Sequence, residues 1–128
     1  MCTKKDPPDC IVKDPSGNDV GVEVSELVDK RAIEKVERGI NTTRLWRENE
    51  VIQEIEKILK EKDLKRYHGS YSKIVVIIHT DEVSIEYEHI KPTIENHLFP
   101  PLKQIDEAYL LFSYPYKEKC PYIRLRLR

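Results

Sequence analysis

Long apolar runs are absent from this sequence. No stretch of its 128 residues approaches the roughly 18 consecutive apolar residues that a membrane-spanning helix needs. The N-terminal stretch MCTKKDPPDC contains no apolar signal-peptide core. We therefore expect a single cytoplasmic domain over residues 1–128, with a loose N-terminus at residues 1–6 and no membrane partner.

Cysteine is also scarce, and its spacing disfavours the common cysteine-based sites. Cys2, Cys10 and Cys120 lie far apart and include no Cys-x-x-Cys pair. An odd number of distant cysteines favours reduced thiols over a disulfide framework or a zinc site.

A surplus of basic charge is lacking as well. The chain carries 22 Lys and Arg against 23 Asp and Glu, a formal net charge of −1. A protein that coats DNA usually carries excess positive charge, so that class is disfavoured, whereas a nuclease is not. Any nucleic-acid contact must then come from local clusters, namely KEKDLKR at residues 60–66 and the C-terminal IRLRLR.

The C-terminal cluster has two interpretations. Arg124 and Arg126 alternate with apolar residues, which places both on one face of a predicted strand. That face can follow a phosphate backbone. It can equally be the solvated face of an edge strand, where charge prevents aggregation.

The segment around which the rest of the chain is organised is residues 7–27, PPDCIVKDPSGNDVGVEVSEL. An apolar run, the turn sequence DPSGND and an alternating return segment predict a β-hairpin. In the return strand Glu23 shares a face with Gly21, Ser25 and Leu27. Asp9 lies at the start of the first strand, so a hairpin brings two carboxylates close enough to share a cation.

The remaining segments predict helices and strands that cover this hairpin. Apolar spacing predicts a helix over residues 28–38 and a long amphipathic helix over residues 45–65. The β-branched run KIVVIIH predicts a central strand, buried on both faces and parallel to a hairpin strand. A third helix should begin with Pro92 in its first turn. EAYLLFSYP and PYIRLRL predict two final strands.

These elements predict an α/β fold in which helices flank a mixed sheet, in the order β-β-α-α-β-α-β-β. Together with Pro8-Asp9 and Glu23, this order resembles the PD-(D/E)XK nuclease superfamily, the restriction-endonuclease-like fold, over about residues 7–80. The resemblance implies Mg²⁺-dependent (or Mn²⁺-dependent) hydrolysis of phosphodiester bonds in DNA, with Asp9 and Glu23 as metal ligands.

The chain departs from the family in two ways. Ser25 stands where the family has a lysine that assists the attacking water, and only six residues precede Pro7, so the helix that usually precedes the Pro-Asp strand is expected to be absent or to lie outside this sequence. Some members carry that lysine on the next helix, so Lys30 and Lys35 are the candidate substitutes, with Lys35 better placed. Ser25 would then be a bystander or a hydroxyl that positions water.

Two functions remain open from the sequence. The retained acid pair favours a metal-dependent endonuclease. The Lys-to-Ser departure and the balanced charge favour a catalytically degenerate nuclease-fold domain that acts as an interaction module for nucleic acid or protein. DNA and a second copy of the chain are the partners compatible with these interpretations; a small-molecule substrate is not.

Overall fold

A five-stranded mixed sheet forms the centre of the structure, a computed structural model that describes residues 7–28, 46–82, 84–113 and 119–128. Its strands are β1 (Cys10–Lys13), β2 (Asp19–Glu26), β3 (Lys73–Thr80), β5 (Glu107–Phe112) and β6 (Tyr122–Arg124). Across the sheet they run in the order β1-β2-β3-β5-β6. The outer pairs β1–β2 and β5–β6 are antiparallel, whereas β3 is parallel to both of its neighbours. A separate parallel pair joins β4 (Leu98–Phe99) to β7 (Arg126–Leu127).

The predicted hairpin is confirmed, and its turn is held by one side chain. The Asp14 carboxylate Oδ1 accepts hydrogen bonds from the backbone N–H groups of Ser16 and Asn18, both at 2.9 Å. Gly17 adopts φ +84°, a conformation that L side chains rarely take. The register pairs Cys10 with Val22 and Ile11 with Gly21, which directs Asp9 and Glu23 to the same face.

The predicted central strand and the long helix are also confirmed. In β3, Val76 and Ile78 on the face toward α1 are fully buried. On the other face Val75 is buried but Ile77 and His79 are only half-buried, so the expected burial on both faces is confirmed only in part. Helix α1 (Glu48–Asp63) supplies the crossover between the parallel strands β2 and β3. Its buried stripe packs on one face of the sheet and consists of Val51, Ile52, Ile55, Ile58 and Leu59.

Helix α2 (Tyr87–Asn96) differs from the sequence prediction. It contains Pro92 in its middle and not in its first turn. A proline at that position removes one backbone hydrogen bond. Ile90 and Ile94 lie one turn apart and are both buried, so packing against the core compensates for the missing bond.

The predicted α/β class with a mixed sheet is confirmed, whereas the element order is confirmed only in part. The helix predicted over residues 28–38 lies outside the described residues except for Val28. The last predicted strand is divided at Leu125 into β6 and β7, and β4 was not predicted. Ile123 and Leu125 face the core while Arg124 and Arg126 are exposed, as the alternation predicts.

Two further sequence expectations can be compared with the described part of the chain. No helix in it is long and apolar enough to cross a membrane. The expectation of three reduced thiols is wrong for Cys10, which is disulfide-bonded, whereas Cys120 is free.

Candidate acid–lysine site

Asp9 and Glu23 meet on the face of the sheet that α1 covers. The backbone N–H of Asp9 donates to Glu23 Oε2 at 2.8 Å, and the backbone N–H of Val24 donates to Asp9 Oδ2 at 2.8 Å. Each carboxylate is therefore held by the main chain of the other strand. The hairpin register alone fixes the two acids relative to each other.

Gly21 allows the close approach of the segment that carries Asp9. A Cβ atom at this position would lie 2.7 Å from Ile74 Cδ1 and 3.3 Å from Pro8 Cγ. Because Gly21 has no side chain, Pro8 packs directly over the backbone of β2. The next residue, Asp9, consequently reaches the amide of Val24.

Two lysines from the end of α1 complete the site. Lys65 Nζ lies 3.0 Å from Glu23 Oε1, and Lys62 Nζ lies 3.6 Å from the same oxygen and 4.0 Å from Asp9 Oδ2. Glu23 is 0% exposed, and a buried carboxylate is tolerated only where donors and opposite charge replace water. Two ammonium groups thus balance two carboxylates. We call these four residues the acid–lysine cluster.

Tyr67 closes the buried side of the acid–lysine cluster. Its hydroxyl donates to the carbonyl of Lys62 at 2.6 Å and lies 3.5 Å from Glu23 Oε1. Burial, followed by the charge of Glu23, raises the pKa of Tyr67 above its ordinary value of 10.0. The hydroxyl therefore remains protonated, and it donates its hydrogen bond to the nearer acceptor, the carbonyl of Lys62.

The electrostatics of the cluster favour charged forms of Asp9 and Lys65. Burial acts to raise the pKa of Asp9, but the Val24 amide and the neighbouring charges outweigh it and hold this pKa below 3.8. The Glu23 carboxylate raises the pKa of Lys65 above 10.5. Both groups are ionised at neutral pH.

A second set of contacts fixes the turn that carries the two lysines. The Asp63 carboxylate accepts from the backbone N–H groups of Lys103 and Gln104, the shortest at 2.8 Å. The side-chain amide of Gln104 donates to the carbonyls of Asp63 and Lys65 at 2.6 and 2.8 Å. These are carbonyls that the end of a helix leaves without partners. We call this set the Asp63–Gln104 clamp.

The structure brings together some of the predicted site residues and separates others. Asp9 and Glu23 converge, and Ser25 lies on the same face as Glu23, half-buried. Lys30 and Lys35 lie outside the described residues.

The predicted nucleic-acid contacts lie elsewhere. Arg124 pairs with Tyr109 on β5, which pairs with Ile77 on β3, which in turn pairs with Val24 on β2. Paired residues share a face, and Val24 is next to Glu23 in its strand, so Arg124 lies on the opposite face of the sheet from Glu23. Its guanidinium lies 3.3 Å from Glu107, so part of its charge is balanced. Arg126 is exposed in β7, outside the five-stranded sheet.

Sequence reasoning missed Lys62 and Lys65, which it treated only as part of a basic run. The buried stripe Val51, Ile55 and Ile58 continues with helical spacing to positions 62 and 65. Lysines at positions where apolar residues should follow indicate a buried negative partner. That signal was present in the sequence.

No family model matches the chain, and comparison with curated proteins and with solved structures gave no match. Within the described ranges, no group of three or more His, Cys, Asp and Glu side chains forms a candidate metal site. The chain is an α/β domain with a mixed sheet and a partly buried acid–lysine cluster between its hairpin and α1.

Proposed function

We propose that this chain is a metal-dependent nuclease domain of restriction-endonuclease-like fold that hydrolyses phosphodiester bonds in DNA. One observation carries the proposal. Asp9 and Glu23, from neighbouring antiparallel strands, converge on one site in which Lys65 Nζ lies 3.0 Å from Glu23. Lys65 thereby supplies the cationic group that Ser25 cannot.

The residues present suit a hard divalent cation. Carboxylate oxygens are the ligands that Mg²⁺ and Mn²⁺ prefer, and the Asp9 side chain is 38% exposed. Glu23 itself is 0% exposed, and Lys65, whose side chain is 38% exposed, lies at its Oε1. The cation and Lys65 would therefore compete for Glu23. A bound Mg²⁺ would neutralise a phosphate and acidify a water molecule.

The chain's own residues have separable roles in this proposal. Lys65, the more exposed lysine, would bind a phosphate oxygen or orient water once it leaves Glu23. Lys62 has a side chain only 14% exposed and remains the internal counter-ion of both acids. Tyr67 holds the carbonyl of Lys62 and so keeps that lysine in place.

Calorimetry with Mg²⁺ and Mn²⁺, combined with a plasmid-nicking assay, tests the proposal. We expect Asp9→Ala and Glu23→Ala to abolish metal binding and nicking. Glu23→Gln should have the same effect, and because it keeps the side-chain volume it shows that the negative charge is what is needed. Lys65→Met should retain metal binding but lower the nicking rate by roughly 10²-fold, because only the cationic group is removed. Lys119→Met, an exposed lysine remote from the cluster in sequence, is the control.

A second function is favoured by the burial of Glu23. Both of its oxygens already have protein partners, and the two lysines compensate both acids without an ion. This arrangement suits a catalytically degenerate domain in which the cluster only stabilises the fold. Metal binding by the wild type but not by the acid variants supports the nuclease. Failure of both cations to bind the wild type contradicts it and favours the interaction module.

A further inference from the structure

A groove on the outer flank of α1 is separate from the acid–lysine cluster. It has a volume of about 730 Å³ and lies between α1 and residues 100–103. Lys60 and Leu64, which line it, project from nearly the opposite side of the helix from Lys62 at 100° per residue. The groove therefore opens on a different side of α1 from the acid–lysine cluster, and the two share only the Asp63–Gln104 clamp, because Asp63 and Lys103 also line the groove.

The length of the groove suits an extended peptide. Gln53, Lys57, Lys60 and Leu64 follow one line along the helix and all line the groove. Eleven helical residues rise by about 16 Å, which matches roughly five residues of extended chain. A volume of this size also lies in the range of specific binding sites.

The floor of the groove is aliphatic. Leu59, Pro100, Pro101 and Leu102 line it, and Leu64 at one end is 78% exposed. Leu64 and the prolines thus form a continuous apolar lining. None of the described side chains that line the groove is aromatic, which disfavours nucleobases because they bind by stacking.

The rim of the groove carries more basic than acidic groups. Lys57, Lys60 and Lys103 line it, and none of their ammonium groups forms an ion pair with another described residue. Two carboxylates also line the groove, and each has another partner: Glu56 lies 2.8 Å from His97 Nε2, and Asp63 accepts hydrogen bonds from backbone amides. The lining therefore has one more basic group than acidic groups, and three ammonium groups are available to a ligand.

We infer that this groove binds an extended acidic peptide segment in which carboxylates flank an aliphatic side chain. The carboxylates pair with the three rim lysines, and the aliphatic side chain packs on Leu59 and the two prolines.

The probe is the fluorescein-labelled peptide Glu-Leu-Asp-Leu-Glu, titrated into the full chain and followed by fluorescence anisotropy and ¹⁵N NMR. Amide shifts should be confined to residues 53–64 and 102–103. The double variant Lys57→Glu/Lys60→Glu should weaken binding roughly tenfold or more, since two charge pairs become repulsive. Lys119→Glu makes the same kind of change outside the groove and should leave the affinity unchanged.

Four results would overturn the inference. The peptide Lys-Leu-Lys-Leu-Lys binding as well as the acidic one would remove the charge argument. Tighter binding of a single-stranded oligonucleotide would make the groove a nucleic-acid site. A dimer in sedimentation experiments that dissociates in the double variant would make a second copy the occupant. Absence of any shift at millimolar peptide would mean that the groove binds no such segment.

Discussion

Glu23 is the residue on which the candidate site depends. It occupies a strand position with no solvent exposure, where an apolar side chain would normally pack. Its charge is tolerated because the Asp9 amide, Lys62 and Lys65 surround it. The same contacts fix the position of the Glu23 carboxylate, since removing any one of them leaves a buried polar group without its partner.

The ion pair between Lys65 and Glu23 predicts a pH dependence of stability. The folded-state pKa of Lys65 is raised above 10.5, so the stabilisation is complete below that pH and is lost as the pH rises through the folded value. The folded-state pKa of Asp9 is lowered, so its contribution is present above 3.8 and is lost as the pH falls through the folded value.

Lys65→Met should therefore lower the thermal unfolding midpoint by roughly 2 to 4 °C in EDTA between about pH 5 and about pH 9. The difference from the wild type should shrink above about pH 10.5, where the lysine itself loses its charge. Scanning calorimetry across this range measures it, with Lys119→Met as the reference. A difference that stays constant at alkaline pH would show that Lys65 acts through packing and not through charge.

Gly21 provides a second test at this scale. An alanine Cβ would overlap Ile74 and crowd Pro8, so Gly21→Ala should cost about 1 to 3 kcal/mol in the free energy of unfolding. Val24→Ile is the control, because it adds one carbon at an exposed position of the same strand. Urea unfolding compares them, and equal losses would argue against the close approach of Pro8.

At the scale of elements, the C-terminal end of α1 links the core to the site. Its stripe packs against the sheet, its last turn carries Lys62, and Lys65 follows. The carbonyls at this end receive donors from Gln104 and Tyr67 instead of water. The clamp therefore determines where the two ammonium groups lie.

Gln104→Ala should destabilise the protein by about 1 to 2 kcal/mol, because the carbonyls of Asp63 and Lys65 lose their donor. Amide hydrogen exchange at residues 64–66 should accelerate by more than the loss in the global free energy of unfolding explains. Gln53→Ala, an exposed glutamine on the same helix, should change stability by less than about 0.5 kcal/mol. If exchange at residues 64–66 is unaltered in Gln104→Ala, the clamp does not hold that turn.

At the scale of the whole molecule, β3 is the central strand of the five-stranded sheet. It lies between β2 and β5, parallel to both, and its side chains are buried on one face by α1. The edge strand β1 has one neighbour and four residues. Stability should therefore decrease from the centre of the sheet toward its β1 edge.

Native-state hydrogen exchange measures this gradient. Amides of Val75, Val76 and Ile78 should exchange only by global unfolding, with the free energy that urea unfolding gives. The amide of Val12, which pairs with Val20 in β2, should exchange through a local opening of lower free energy. Comparable protection in β1 and β3 would mean that the hairpin edge is covered as well as the centre.

Local features of the chain could be predicted because each depends on neighbouring residues. The hairpin follows from its turn sequence, α1 from its apolar spacing and β3 from its β-branched run. The acid pair followed too, since a hairpin of this length places Asp9 beside Glu23. Pro92 was misplaced because the buried pair Ile90 and Ile94 outweighs one lost hydrogen bond, which local rules do not measure.

By itself, the sequence determined the hairpin, α1, β3 and the two carboxylates, because those depend on periodicity and on one short turn. Only the tertiary structure decided which cations face them. Lys62 and Lys65 are far from Glu23 in the sequence and reach it because the crossover places the end of α1 over β2. The structure also placed Arg124 on the other face of the sheet, since strand order and register are set by packing among segments that no local pattern relates.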